Sequence, residues 1–340
     1  MKIERREVDR TAAHIVEHTA DPIADPAANP MMAIRYHERG GPEVLRYERV
    51  PRPSPAAGEL LVRVRASSVN PGDWQIRSGL AGDRFALPYV PGWDISGVVE
   101  QAGEGAAGFR EGEEVYGMTA SGGGHAEYAV IPAAQAACKP KSLSHAEAAA
   151  VPMSAFTAWR ALLEQGALRP GETVLVNGAA GGVGHFAVQI AKRAGAKVVA
   201  VASGRNEAWL RELGAVEFLD YTEVPVDRSP WRADLALDAV GGPDGDRLLA
   251  AVKPGGRLVP VAFGVYSPDK AAARSVAVGE VLMPPISTDA LARLAAEFDA
   301  GRLRVVLDSV YPLRDAYLAH ERSEGRRLRG KIVIEMETLA

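Results

Sequence analysis

Between Val174 and Gly195 the chain reads VLVNGAAGGVGHFAVQIAKRAG, five glycines set between a β-branched run and a helix-like pattern. Val174 to Asn177 has the composition of a short buried strand, and a helix is expected from about Val183. The glycines fall in the connection. A strand, a tight turn and a helix N-terminus aim unpaired backbone N–H groups and the positive end of the helix dipole at one point, a geometry that suits a pyrophosphate. The spacing is Ala179-x-Gly181-x-x-Gly184, a dinucleotide fingerprint with alanine at its first position. KVVAVAS follows at the distance of a second strand, completing a βαβ unit. That strand ends in Ser203-Gly204-Arg205. An NAD site usually places a carboxylate there for the ribose hydroxyls. Here a hydroxyl and a guanidinium are offered to a 2′-phosphate, so NADPH is the expected cofactor.

Two kinds of segment have to position this turn. From Met32 to about Ala150 the chain reads as short strands between glycine and proline: LLVRVRASSVN, DISGVVEQAG, EVYGM and HAEYAVIP imply a compact all-β domain. SLSHAEAAAVPMSAFTAWRALLEQG then shifts to helical spacing, with Ser144 and Glu147 in a capping-box arrangement, and reads as a hinge. After Pro170, strands alternate with helices, the signature of a parallel sheet covered on both faces. RVVLDSVYPL through GKIVIEM returns to strand and is expected to rejoin the first domain. The expected division is an extension over 1–31, a catalytic domain over 32–150 and 303–340, and a nucleotide-binding domain over 151–302.

Composition removes other classes. The 340 residues are 47% apolar and 24% charged, with a net charge of -4, which gives no footprint for a polyanion; no nucleic-acid partner is expected. The single cysteine, Cys138, excludes an intrachain disulfide and a cysteine-cluster zinc site. Lying in AACKP, it is expected in the core. The first thirty residues carry neither a signal-peptide core nor transit-peptide chemistry, and they break into DPIADPAANP. His14 and His18 share a helical spacing but have no further ligands nearby. No apolar run approaches the ~18 residues of a membrane span, so no membrane partner and a cytoplasmic location are expected.

The ordered segments GGPEVL, SSVNPGDW, PGWDISGVV, GGHAEYAV, AAAVPMSAFTAW, NGAAGGVG, GAVEFLDY, KPGGRLV and RGKIVI resemble the medium-chain dehydrogenase/reductase superfamily, and within it the zinc-free quinone oxidoreductase branch. The resemblance covers Met32 to about Ile334. It implies an α/β chain with a GroES-like β-rich catalytic domain and an inserted Rossmann domain built on a doubly wound parallel sheet. Zinc members carry a cysteine where this chain has Asn70 and a histidine where it has Trp93; no metal is expected. The resemblance places Asn70, Thr157, Gly182, Val183, Ser203, Arg205, Tyr221 and Phe263 along the cofactor, with Tyr221 near the adenosine. Ala180, Gly181 and Gly184 complete the turn.

Many members of the branch have a tyrosine two positions after the aspartate that matches Asp73. This chain has Gln75, preceded by Trp74. Asn70, Trp74, Gln75 and Trp93 are the candidate catalytic group, with Phe85 as a further pocket wall and Tyr116, Tyr128 or water as proton donor. The expected activity is metal-free hydride transfer from NADPH to a quinone or an α,β-unsaturated carbonyl, carried out by a homodimer. The alternatives are an enoyl or carbonyl reductase of a biosynthetic route, or an NADPH-binding protein with a structural or sensing role.

Overall fold

A computed structural model describes residues 29–280 and 285–337. Its first strand, β1 (Pro30–Arg35), pairs antiparallel with β2 (Arg46–Pro51). β1 starts inside the segment expected to be an extension, and Met31 is buried. Regular structure is thus required from Pro30. The remainder of the expected extension, with His14 and His18, lies outside the described residues.

The long strand β3 (Glu59–Val69) is the axis of the first half. It pairs antiparallel with β4 (Asp94–Ala102), which pairs with β5 (Glu114–Met118); β6 (Tyr128–Pro132) lies on β3, and β7 (Ala136–Cys138) closes the edge beyond β5. Leu60, Val62, Val64, Ile95, Val99, Val115 and Ile131 meet in its core. Each such side chain stabilises the fold by roughly 1.5–3 kcal/mol on burial. Cys138 is a correction: as the last residue of an edge strand it is exposed. α1 (Pro71–Arg77) follows β3 directly, with Asn70 as N-cap and Pro71 at N1. Proline is favoured there because its missing N–H has no helical acceptor to lose.

α2 (His145–Ala149) carries the expected capping box: the Glu147 N–H donates to Ser144 Oγ at 3.2 Å and the Ser144 N–H to Glu147 Oε2 at 2.9 Å. α3 (Pro152–Trp159) runs into a π-helical segment over Arg160–Gln165 and leads to the second sheet. This sheet holds β8 (Thr173–Asn177), β9 (Lys197–Ala202), β10 (Glu217–Asp220), β11 (Ala233–Asp238), β12 (Val252–Pro260) and β13 (Ala277–Val278). All pairs are parallel, in the order β10-β9-β8-β11-β12-β13. Among the helices connecting them, α4 (Gly182–Arg193) and α5 (Glu207–Leu213) shape the site. The chain then rejoins the first sheet, where β14 (Leu307–Pro312) pairs with β15 (Lys331–Glu335) and β15 pairs with β3. A GroES-like half and a doubly wound Rossmann half result. Among the described residues no helix is long and apolar enough to cross a membrane.

Candidate active site

β8 has β9 on one side and β11 on the other, so the turn after it sits at the switch point of the sheet, where α/β folds bind ligands. Gly178 takes a φ of +79°, and the N–H groups of Gly178 and Ala179 bond to Val201 O at 3.2 and 3.0 Å, pinning the turn on β9. Gly181 caps α4. The His185 N–H, at 3.1 Å from Gly181 O, begins the helical ladder, which leaves the N–H groups of Gly182, Val183 and Gly184 without helical acceptors. A Cβ on Gly184 would overlap Gly178 O and come within 2.7 Å of Ala179 Cα, so a side chain there would push the helix off the turn. Thr157, buried on α3, donates its hydroxyl to Met153 O at 2.6 Å.

Ser203, Tyr221 and Phe263 all follow C-terminal strand ends on this same edge of the sheet. Tyr221 is 49% and Phe263 80% exposed, so both leave surface open at this edge. Asp238 ends β11. It accepts from Asn177 Nδ2 at 2.8 Å and from Tyr266 OH at 2.6 Å, and from the Val240 N–H at 2.9 Å. This buried carboxylate holds the loop beside the glycine turn, and the sequence reading missed it.

Asn70 lies in the other half and is buried. Its backbone N–H donates to Asp73 Oδ2 at 2.7 Å, and the Gly92 N–H donates to Asp73 Oδ1 at 2.9 Å. Burial pushes the Asp73 carboxyl up to about 7 despite these two bonds. The Asn70 side chain bridges two charges. Nδ2 donates to Asp94 Oδ2 at 2.8 Å, and Oδ1 accepts from Lys331 Nζ at 2.6 Å, with Nζ 3.7 Å from Asp94 Oδ2. Ser68 Oγ donates to the same Asp94 oxygen at 2.8 Å, and the Met153 N–H, from the first turn of α3, donates to Asp94 Oδ1 at 2.9 Å. Burial draws the Lys331 ammonium below its ordinary range while Asp94 and Asp73 oppose the shift. Lys331 and Asp94 were not singled out from sequence, although both stand in quoted motifs, RGKIVI and PGWDISGVV.

At the end of β9, Ser203 Oγ accepts from Asn206 Nδ2 at 3.0 Å. Arg205 Nη2 donates to Arg327 O at 2.8 Å, and the Arg329 guanidinium stacks over the Trp209 ring of α5 at 4.5 Å. An arginine-rich loop from the far end of the chain thus reaches the turn, which sequence did not show. A carboxylate from the neighbouring strand, which sequence did not show, also reaches this strand end. Asp220, at the end of β10, stands against Gly204, where a Cβ would overlap its Oδ2. Its Oδ1 accepts from Thr222 Oγ1 and the Thr222 N–H at 2.6 and 2.9 Å, and these bonds hold the carboxyl below the usual carboxylate range.

Trp74 and Gln75 lie on α1 beside Asn70, half-buried, and the Trp74 Nε1–H is buried without a protein acceptor. Trp93 packs against the cores of both halves, with Phe85 edge-on at 6.0 Å. The tyrosine candidates do other work. Tyr116 OH donates to Leu291 O at 2.6 Å, locked between the two halves, and Tyr128 lies under the Arg52 guanidinium at 3.5 Å. Burial draws the His125 and His185 imidazoles down to about 4 and His320 well below its ordinary value. These rings stay neutral at pH 7 and carry no imidazolium proton to release as general acids.

This arrangement can be compared with known proteins. The alcohol dehydrogenase GroES-like domain family matches residues 56–141, and the zinc-binding dehydrogenase family matches residues 213–334. The quinone oxidoreductase of Homo sapiens is 32% identical over 320 residues, spanning 89% of this chain and 97% of the relative. The 2-methylene-furan-3-one reductase of Solanum lycopersicum is 33% identical over 318 residues, spanning 89% and 79%. A mycobacterial structure complexed with NADPH superposes with a TM-score of 0.80 at 30% identity, over 90% of this chain and 99% of the other. The chain belongs to the medium-chain dehydrogenase/reductase superfamily, in its zinc-free quinone oxidoreductase-like branch, and is an oxidoreductase of that family.

Proposed function

We propose that this oxidoreductase reduces a conjugated acceptor, a quinone or an α,β-unsaturated carbonyl, with NADPH and without zinc. The observation that carries the reading is the Asn70 side chain, whose oxygen faces the Lys331 ammonium at 2.6 Å. A metal ion at that oxygen would meet a cation already in place. Among the described residues no group of three or more His, Cys, Asp or Glu is arranged as a metal site, and the Trp93 indole has no ligating atom to give. The residues present do not fit a catalytic zinc.

They do fit a dinucleotide. The N–H groups of Gly182, Val183 and Gly184 would hold the pyrophosphate, Tyr221 would flank the adenine, and Ser203 and Arg205 would take the 2′-phosphate, with the arginine-rich loop adding positive charge. When bound, this group supplies a hydride. The chain's own part is to place the acceptor and to meet the negative charge that develops on its oxygen. Asn70 keeps a second Nδ2 hydrogen for that purpose. A conjugated acceptor suits such a site because its charge is spread over several atoms and a neutral donor suffices. The mycobacterial NADPH complex and the tomato reductase support the same reading.

The test is NADPH consumption against quinones, enones, enals and simple ketones, before and after exhaustive chelation. Reduction of quinones or enones that survives chelation is expected. Activity lost on chelation and restored by zinc, or rapid oxidation of simple alcohols with no quinone or enone reduction, refutes the reading. Stoichiometric NADPH binding with no turnover across the panel would instead favour a sensing role.

A further inference from the structure

Lys331 is 97% removed from solvent by burial of all but 3% of its surface, and it is the first residue of the last strand. A surface lysine would lose nothing by pointing outward, so its burial needs a reason. Its own contacts and one made by its neighbour define its place. The ammonium donates to Asn70 Oδ1 at 2.6 Å and stands 3.7 Å from Asp94 Oδ2. The preceding residue, Gly330, donates its N–H to Ala180 O of the glycine-rich turn at 2.8 Å. The stem lies against Gly182, where a Cβ would come within 2.9 Å of Lys331 Cδ.

We propose that Lys331 is a positioning residue for hydride transfer: its ammonium fixes the orientation of the Asn70 amide, and its stem sets the glycine-rich turn against that amide. An ammonium only donates, so the Asn70 atom facing it must be the carbonyl oxygen. Nδ2 is then committed to Asp94. A flipped amide would oppose NH2 to NH3+ and oxygen to carboxylate, two repulsive contacts in a dry site. The Asp94 carboxylate is in turn held by Ser68 and by the Met153 N–H, so the frame that orients Asn70 extends from β3 and β4 to the start of α3. The remaining Nδ2 hydrogen is aimed as a consequence. This role rests on the proposed reductase activity, because it explains how donor and acceptor are held in register. A misplacement of about 1 Å at such a site costs on the order of a hundredfold in rate.

The experiment is Lys331→Met in the full chain, with circular dichroism to verify folding. The Asn70 side-chain amide is followed by NMR in 15N-labelled protein and identified by its loss in Asn70→Ala. Its exchange with solvent is expected to speed up by about tenfold or more in Lys331→Met. NADPH Kd, read from cofactor fluorescence, is expected to change by less than about threefold, while kcat falls by roughly 10- to 100-fold. In the Asn70→Ala background, Lys331→Met should lower kcat no further, because it acts through that amide. An unchanged amide exchange rate, an effect confined to Kd, or full additivity with Asn70→Ala would overturn the proposal. Should the single substitution unfold the chain, Lys331→Met with Asp94→Asn removes both members of the buried ion pair, and the same readouts are taken relative to Asp94→Asn alone. The NMR arm needs no turnover, so an inactive unsubstituted protein would refute the reductase reading while the amide exchange still decides the role of Lys331.

Discussion

Mild acid should destabilise this protein through its buried histidines, and the size of the effect can be worked out. His125 and His185 titrate at about 4 when folded and His320 well below its ordinary value, against 6.5 when unfolded. A base with a depressed folded value binds its proton only on unfolding, so stability falls as pH drops through 6.5 towards 4. Between pH 7 and about 5.5 His125 and His185 each cost on the order of 1 kcal/mol, and His320 adds to the loss in the same direction. Asp73 works the other way. Its folded carboxyl is protonated below about 7 and its unfolded one only below 3.8, so acidification over the same interval returns on the order of 1–2 kcal/mol. The net effect is a loss on the order of 1–2 kcal/mol, with a net uptake of roughly one to two protons on unfolding near pH 5.5. Half-buried His145, also drawn down by burial, adds to the loss. Calorimetry in buffers of different ionisation enthalpy counts the protons directly. His185→Gln should reduce the uptake by nearly one. A stability that is flat or rising from pH 7 to 5.5, or proton release on unfolding, would show that these rings are not buried neutral as described.

Other outcomes follow from the site. Arg205→Glu should weaken NADPH by about one to two decades, the worth of a charge-assisted hydrogen bond, and spare NADH; Asp220→Asn should tighten NADPH, both read by cofactor fluorescence titration. Gly184→Ala places a Cβ against the backbone of Gly178 and Ala179, so affinity for both cofactors should fall together and thermal stability with it. Equal binding by the variant and the unsubstituted chain would remove the turn from the cofactor site. A chain beginning at Asn29 should keep its cofactor affinity. One beginning at Tyr36 loses β1 and buried Met31, Ala33 and Ile34, and should melt at a clearly lower temperature.

The parts of this protein that could be read from sequence are those whose physics is local. A dinucleotide turn needs particular backbone torsions and missing side chains, and both are written in residue type, so Gly178 to Gly184 declare themselves. Strand and helix periods do the same for the two halves, and Ser144 with Glu147 marks a helix start because the two partners lie three residues apart. The order of family motifs put Ser203, Arg205 and Tyr221 after strand ends on one edge of the second sheet and Asn70 in the other half. Tertiary structure alone decided what faces these residues. Lys331 is 261 positions from Asn70, Arg327 is 122 from Arg205, and Leu291 is 175 from Tyr116. Sheet order brings each pair together, and no local pattern encodes it. Residue type offers Tyr116 as an available acid and Cys138 as core, and it gives no sign that Lys331 is buried or that Asp220 stands against Gly204. Each reading fails for the same reason: the cost of burying a polar group, or the freedom to leave one exposed, depends on partners that distant segments supply only once the sheets have formed.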